Sequence, residues 1–121
     1  MLIQWLIKVY AHTVLRHKKV YVVSGLRRSG NHACISWISA SISGQPVEYQ
    51  HKCHKVYISP NEQILHLNEV NFLDLFDYAF LLQRNRNYIK KAKVIIISLE
   101  DHVAVEGDMY FPKGATHVTV V

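Results

Sequence analysis

Apolar positions along the chain fall into runs of two periods. Lys19-Val20-Tyr21-Val22-Val23-Ser24 and Val94-Ile95-Ile96-Ile97 are continuous and rich in β-branched residues. That pattern predicts strands buried on both faces. His117-Val118-Thr119-Val120-Val121 reads as a third buried strand. Between them, Ile35, Trp37, Ile38 and Ile42 carry helical spacing through residues 33–42, and Gly44 and Pro46 stop that helix. Residues 55–59 and 63–67 flank Pro60-Asn61-Glu62, which predicts two short strands around a turn. Asn71 is placed as the N-cap of a helix over residues 72–82, and the basic stretch 84–93 predicts a second helix behind it. Buried strands alternating with helices indicate an α/β fold with a mainly parallel sheet flanked by helices.

The N-terminal segment is amphipathic. Leu2, Trp5, Leu6, Val9 and Tyr10 share one helical stripe that ends in the basic cluster Arg16-His17-Lys18-Lys19. It is too short for a spanning helix of ~20 residues, and it lacks the basic start and small-residue cleavage site of a signal peptide. Two roles suit the stripe: packing against the sheet, or lying on an anionic membrane surface. Packing is the expected one, because such helices are commonplace in globular domains.

With 121 residues, half of them apolar, the chain is one domain, and its core needs no disulfide or metal staple. The formal charge of +5 favours an anionic ligand. It does not favour nucleic acid, since no nucleic-acid fold signature or interleaved aromatic stacking accompanies the basic residues. Cys34 and Cys53 have no paired spacing, which reads as free thiols in a reducing, cytoplasmic setting. His51-Lys52-Cys53-His54 superficially suggests a metal site. However, no second ligand pair follows and Lys52 and Lys55 would repel a cation, so no metal is expected.

The candidate chemistry lies after Ser24, in Gly25-Leu26-Arg27-Arg28-Ser29-Gly30-Asn31-His32. A loop leaving the carboxyl end of a central strand for a helix is where such sheets bind ligands. Gly25 and Gly30 let successive N–H groups turn inward around an anion, and the helix points its positive end at the same spot. Arg27 and Arg28 add charge-assisted donors, while Ser29, Asn31 and His32 add shorter ones. Gly25 and Gly30 have the separation of the Walker A pattern, but Asn31 replaces its lysine and His32 its hydroxyl residue. Those two residues would grip the terminal phosphates and magnesium, so ordinary ATP or GTP hydrolysis is disfavoured.

The segment resembles the 5′-phosphosulfate loop of P-loop sulfotransferases, particularly a bacterial sulfotransferase-like branch. Arg28-Ser29-Gly30 stands where that family has a basic residue followed by Ser-Gly. Asn31 and His32 replace its threonines or serines, and Arg27 replaces a common proline. Close similarity covers residues 19–42. The resemblance implies a P-loop NTPase-like fold, and 3′-phosphoadenosine 5′-phosphosulfate as a co-substrate held without metal by Gly25, Arg27, Arg28, Ser29, Gly30, Asn31 and His32. It implies sulfuryl transfer to a hydroxyl or amine. Glu100, at the end of the second central strand with Asp101 behind it, and His32 are the candidate bases. In that family the strand comparable to the last one here leads into Arg-Asp-Pro and then a serine, and the arginine and the serine hold the donor's 3′-phosphate. Residues 1–121 are therefore expected to be the N-terminal part of a larger domain, inactive alone. Two alternatives stay open. One is a P-loop kinase or NTPase, with residues 94–101 as a Walker B strand. The other is a non-catalytic anion-binding module.

Overall fold

The computed structural model describes residues 2–25, 31–45, 47–53, 55–68, 70, 75–100 and 114–120. Within them the chain runs α1 (Leu2–Val14), β1 (Lys19–Gly25), α2 (Asn31–Ser43), β2 (Gln50–Cys53), β3 (Val56–Ile58), β4 (Ile64–Leu67), α3 (Leu75–Arg84), α4 (Arg86–Lys91), β5 (Val94–Glu100) and β6 (Thr116–Val120). Asn71, Asp101 and Val121, and the N-cap expected at Asn71, lie outside the described residues.

The strands form one sheet of six in the order β2-β3-β4-β5-β1-β6. β4, β5, β1 and β6 are mutually parallel, whereas β2, β3 and β4 pair antiparallel. The sheet is thus mixed. The expectation of a mainly parallel sheet holds for the four-strand part and fails at the β2–β3 edge, where two tight reversals leave no room for crossover helices. β2 itself was not foreseen. His51-Lys52-Cys53 is edge strand, and the His51 ring packs on Tyr57 at 4.9 Å between centroids. Among the described residues, no group of three His, Cys, Asp or Glu is arranged to hold a metal.

β6 also departs from expectation. It pairs with β1 at the end of the sheet, and His117 and Val118 are half-buried rather than fully enclosed. The apolar run marks a strand, but among the described strands its end position gives it a neighbour on one side only.

The connection from β1 to β4 runs one way along the sheet and that from β4 to β5 runs back. Right-handed crossovers in opposite directions put their helices on opposite faces. Two cores follow. Val20 and Val22 of β1, Leu65 and Leu67 of β4, and Ile95, Ile97 and Leu99 of β5 pack under α1, α3 and α4. On the other face Val23, Ile64, Val94 and Ile96 pack under Ile35 and Ile38 of α2. Every residue from Ile95 to Ile97 is fully enclosed, which accounts for the unbroken apolar run: both faces of β5 are covered.

Element ends have local causes. His17 takes φ 64° beyond the end of α1, turning the chain into β1. Gly44, at φ 78°, ends α2, and its N–H bonds the carbonyl of Ala40 at 2.8 Å. In the β3–β4 turn, Ser59 Oγ donates to Asn61 Oδ1 at 2.8 Å and accepts from the Ile64 N–H at 3.0 Å. Lys18 Nζ donates to the carbonyls of Lys90 and Ala92, at 2.8 and 2.6 Å, closing the exposed end of α4. Among the described residues, no helix is long and apolar enough to cross a membrane.

α1 packs as a helix, but not through the expected stripe. Ile7, Ala11 and Leu15 enter the core, with Tyr10 and Val14 beside them. Leu2, Trp5, Leu6 and Val9 face outward. The helix is apolar on two opposite sides, and counting apolar positions alone selects the wrong one.

Candidate functional site

β1 and β5 run parallel in unbroken register from Lys19 opposite Val94 to Gly25 opposite Glu100. Both strands therefore end at the same level. β6 reaches that level on the other side of β1, with Thr119 opposite Ser24. From β1 the chain leaves toward β4; from β5 it leaves toward β6 on the opposite side. The two connections thus run in opposite directions along the sheet, each past the other strand, and neighbouring carboxyl ends at such a reversal of strand order are the usual ligand position of an open α/β sheet. α2 begins at Asn31, so Asn31 and His32 form its first turn. Of the sequence-derived site residues, the structure brings together Gly25 and Glu100 as register neighbours, with Asn31 and His32 at the helix start. Leu26, Arg27, Arg28, Ser29 and Gly30 lie outside the described residues.

Ser24 sits immediately before this segment and is buried. Its Oγ has no hydrogen-bond partner among the described residues. It belongs to the α1 side of the sheet, since it alternates with Val23, which packs under α2.

A polar network missed in the sequence lies on the α2 side, beside the carboxyl ends of β4 and β5. Ser98 Oγ donates to Asn68 Oδ1 at 2.9 Å, and His66 Nε2 stands 3.0 Å from the same Oγ. With the Ser98 proton directed at Asn68, the His66 Nε2–H donates to Ser98, which fixes the imidazole's tautomer. All three residues are buried. Tyr57 stacks on the His66 ring at 5.8 Å, and Tyr49 meets its edge at 6.1 Å. The Tyr49 hydroxyl bonds Ser39 of α2, whose Oγ also donates to the Ile35 carbonyl at 2.8 Å. Burial pushes the Tyr49 phenol above its ordinary pKa, partly offset by the Ser39 bond, so Tyr49 stays neutral.

The network ties α2 to β4 and β5 through side chains. Ser98 lies two residues before Glu100 on the same strand, about 6.6 Å along it. The sequence signal was a single histidine inside the otherwise apolar Ile64-Leu65-His66-Leu67. A polar ring in a buried strand requires a partner, but its identity, 32 residues away, is not local information.

A separate cleft of about 440 Å³ lies at the other end of the strands, lined by Ile64 and Val94 at the starts of β4 and β5 and by Gln45, Glu48, Asn61 and Lys93. It is remote from the Gly25–Glu100 level and is not part of the candidate site.

Compared with protein-family models, curated proteins and solved structures, the chain matches none.

Proposed function

We propose that residues 25–32 bind the 5′-phosphosulfate of 3′-phosphoadenosine 5′-phosphosulfate in a sulfotransferase-like protein. The observation that carries this reading is the Gly25–Glu100 register pair at the adjacent carboxyl ends of β1 and β5, where the strand order reverses, with α2 starting at Asn31. The geometry favours an anion in that position, and the residues of the loop favour a sulfate donor over ATP.

In this reading Arg27 and Arg28 neutralise the phosphosulfate, the backbone of Gly25 to Gly30 wraps it, and Ser29, Asn31 and His32 complete the donor set. A sulfuryl group carries less negative charge than a phosphoryl group, so arginines and N–H donors stabilise its transfer without magnesium. The acceptor oxygen or nitrogen attacks sulfur, and the bond from sulfur to the phosphate oxygen breaks. The acceptor's proton passes to a base, for which Glu100 and His32 are the candidates, and 3′-phosphoadenosine 5′-phosphate leaves.

A second reading, a P-loop kinase or NTPase, draws support from the same register pair, because an acid at the end of β5 is where magnesium would be organised. Asn31 and His32 weigh against it. Calorimetric titration with 3′-phosphoadenosine 5′-phosphate, and with ATP with and without magnesium, separates the two. Tight, magnesium-independent binding of the former is expected. ATP binding that requires magnesium, with none of the former, overturns the proposal.

A further inference from the structure

α1 buries Ile7, Ala11 and Leu15 and turns a second apolar side outward, with Leu2 71%, Trp5 58% and Leu6 52% exposed. α3 packs beside α1 in the same layer and adds Phe76 and Phe80, 66% and 65% exposed. Large apolar side chains gathered on one outer layer mark a contact surface rather than ordinary surface scatter.

Basic residues lie along the same layer. Arg16 belongs to two adjoining clefts. One is on α1 with Trp5, Lys8 and His12; the other, of about 560 Å³, is shared with Lys18, Arg86 and Lys90 between α1 and α4. α1 contains no acidic residue. Asp77 of α3 is paired with Lys55 at 3.7 Å.

We propose that the outer surface of the α1 and α3 layer docks on an anionic lipid bilayer. Trp5, Leu6 and Phe80 enter the headgroup and acyl boundary, while Arg16, Arg86 and Lys90 meet lipid phosphates. A helix with tryptophan and leucine on one side and basic residues beside it has the make-up of an interfacial helix. Charge complementarity selects the membrane over a second copy of the chain. A second copy would bring no acidic side chain from α1 or α4 and, from α3, only Asp77, already paired with Lys55, whereas anionic lipid neutralises the basic residues.

The test is flotation of the 121-residue protein with phosphatidylcholine vesicles, with and without phosphatidylserine. Binding is expected only with phosphatidylserine and is expected to fall as salt rises. Arg16→Gln, Arg86→Gln and Lys90→Gln should each weaken it roughly fivefold. Trp5→Ser combined with Leu6→Ser should weaken it by at least about tenfold, from lost apolar burial. Trp37→Ser, on the exposed side of α2, should leave binding unchanged. In a Trp37→Phe background, the emission of Trp5 should shift to the blue on adding vesicles. Circular dichroism confirms that each variant is folded. The proposal is overturned by absent binding, by binding indifferent to phosphatidylserine, or by folded Trp5→Ser/Leu6→Ser protein that still floats. Sedimentation equilibrium showing lipid-free self-association abolished by Trp5→Ser assigns the surface to a second copy and overturns it equally.

Discussion

His66 Nε2 and Ser98 Oγ meet at 3.0 Å across the parallel β4–β5 pair, both buried beneath α2. On a face otherwise filled by Val23, Ile35, Ile38 and Ile96, this contact and the Ser98–Asn68 bond behind it fix how two strands and the following turn sit together. Buried polar pairs of this kind cost more to break than they contribute when made.

Ser98→Ala should therefore destabilise the fold by about 1–3 kcal/mol, since it removes a partner from two buried groups. His66→Ala should cost a comparable amount, with part of the loss arising from the hole left between Tyr49 and Tyr57. A double-mutant cycle read by urea unfolding should give a coupling of about 0.5–3 kcal/mol. Strictly additive losses would mean that the two side chains are near each other without interacting.

Lys18 closes α4 by donating to the carbonyls of Lys90 and Ala92. α4 spans six residues, too few to hold itself together without tertiary support. Lys18→Met keeps the stem and removes the donor, and should lower stability by about 1 kcal/mol. Hydrogen exchange should locate the loss at the amides of α4. An unchanged midpoint would show that water serves those carbonyls equally well.

The sequence made the skeleton readable where burial is two-sided. β1 and β5 were readable because the β-branched runs Val20 to Val23 and Val94 to Ile97 favour a strand covered on both faces, and both strands are central. The β3–β4 turn was readable from Pro60-Asn61-Glu62, since turn chemistry is local. Three features were not readable. β2 is polar edge strand, and Gln50-His51-Lys52-Cys53 carries no period that separates it from a loop. β6 has an interior composition at an end position, which only the strand order reveals. α1 offers apolar residues on two sides, and the choice between them is made by what α3 and α4 present. The candidate site divides in the same way. Its position, between the end of β1 and the start of α2, follows from the strand and helix patterns on either side, while the level Gly25–Glu100 pairing depends on a register between strands 75 residues apart.

Arg28→Ala is expected to weaken binding of 3′-phosphoadenosine 5′-phosphate by about 1.5–3 kcal/mol, the range for hydrogen bonds to a charged group. Calorimetry on wild type and variant decides it. Equal affinities would remove Arg28 from the donor set.

Gly30→Val should abolish that binding, because a branched side chain would take the space of the bound anion. The far-ultraviolet circular dichroism should be unchanged. Loss of the helical signal along with binding would give the glycine a folding role instead.

Glu100 separates the two nucleotide readings. If it is the base of a sulfuryl transfer, its charge acts on the acceptor and contributes little to holding the nucleotide. Glu100→Gln should then leave the affinity for 3′-phosphoadenosine 5′-phosphate within about twofold, or less than 0.5 kcal/mol. The expected sign is a small gain at low salt that fades as salt screens it, since a negative charge near a bound phosphate is repulsive. If instead Glu100 organises magnesium, the carboxylate is needed to bring the ion to the phosphates. ATP should then bind more tightly with magnesium in the wild type, and Glu100→Gln should erase that increment while leaving magnesium-free affinity alone. The measurement is one titration grid: two proteins, two nucleotides, magnesium present or absent. A magnesium increment on ATP that disappears in Glu100→Gln decides for phosphoryl chemistry. A grid in which magnesium changes nothing, and the substitution changes affinity only through screened repulsion, decides for the sulfate donor.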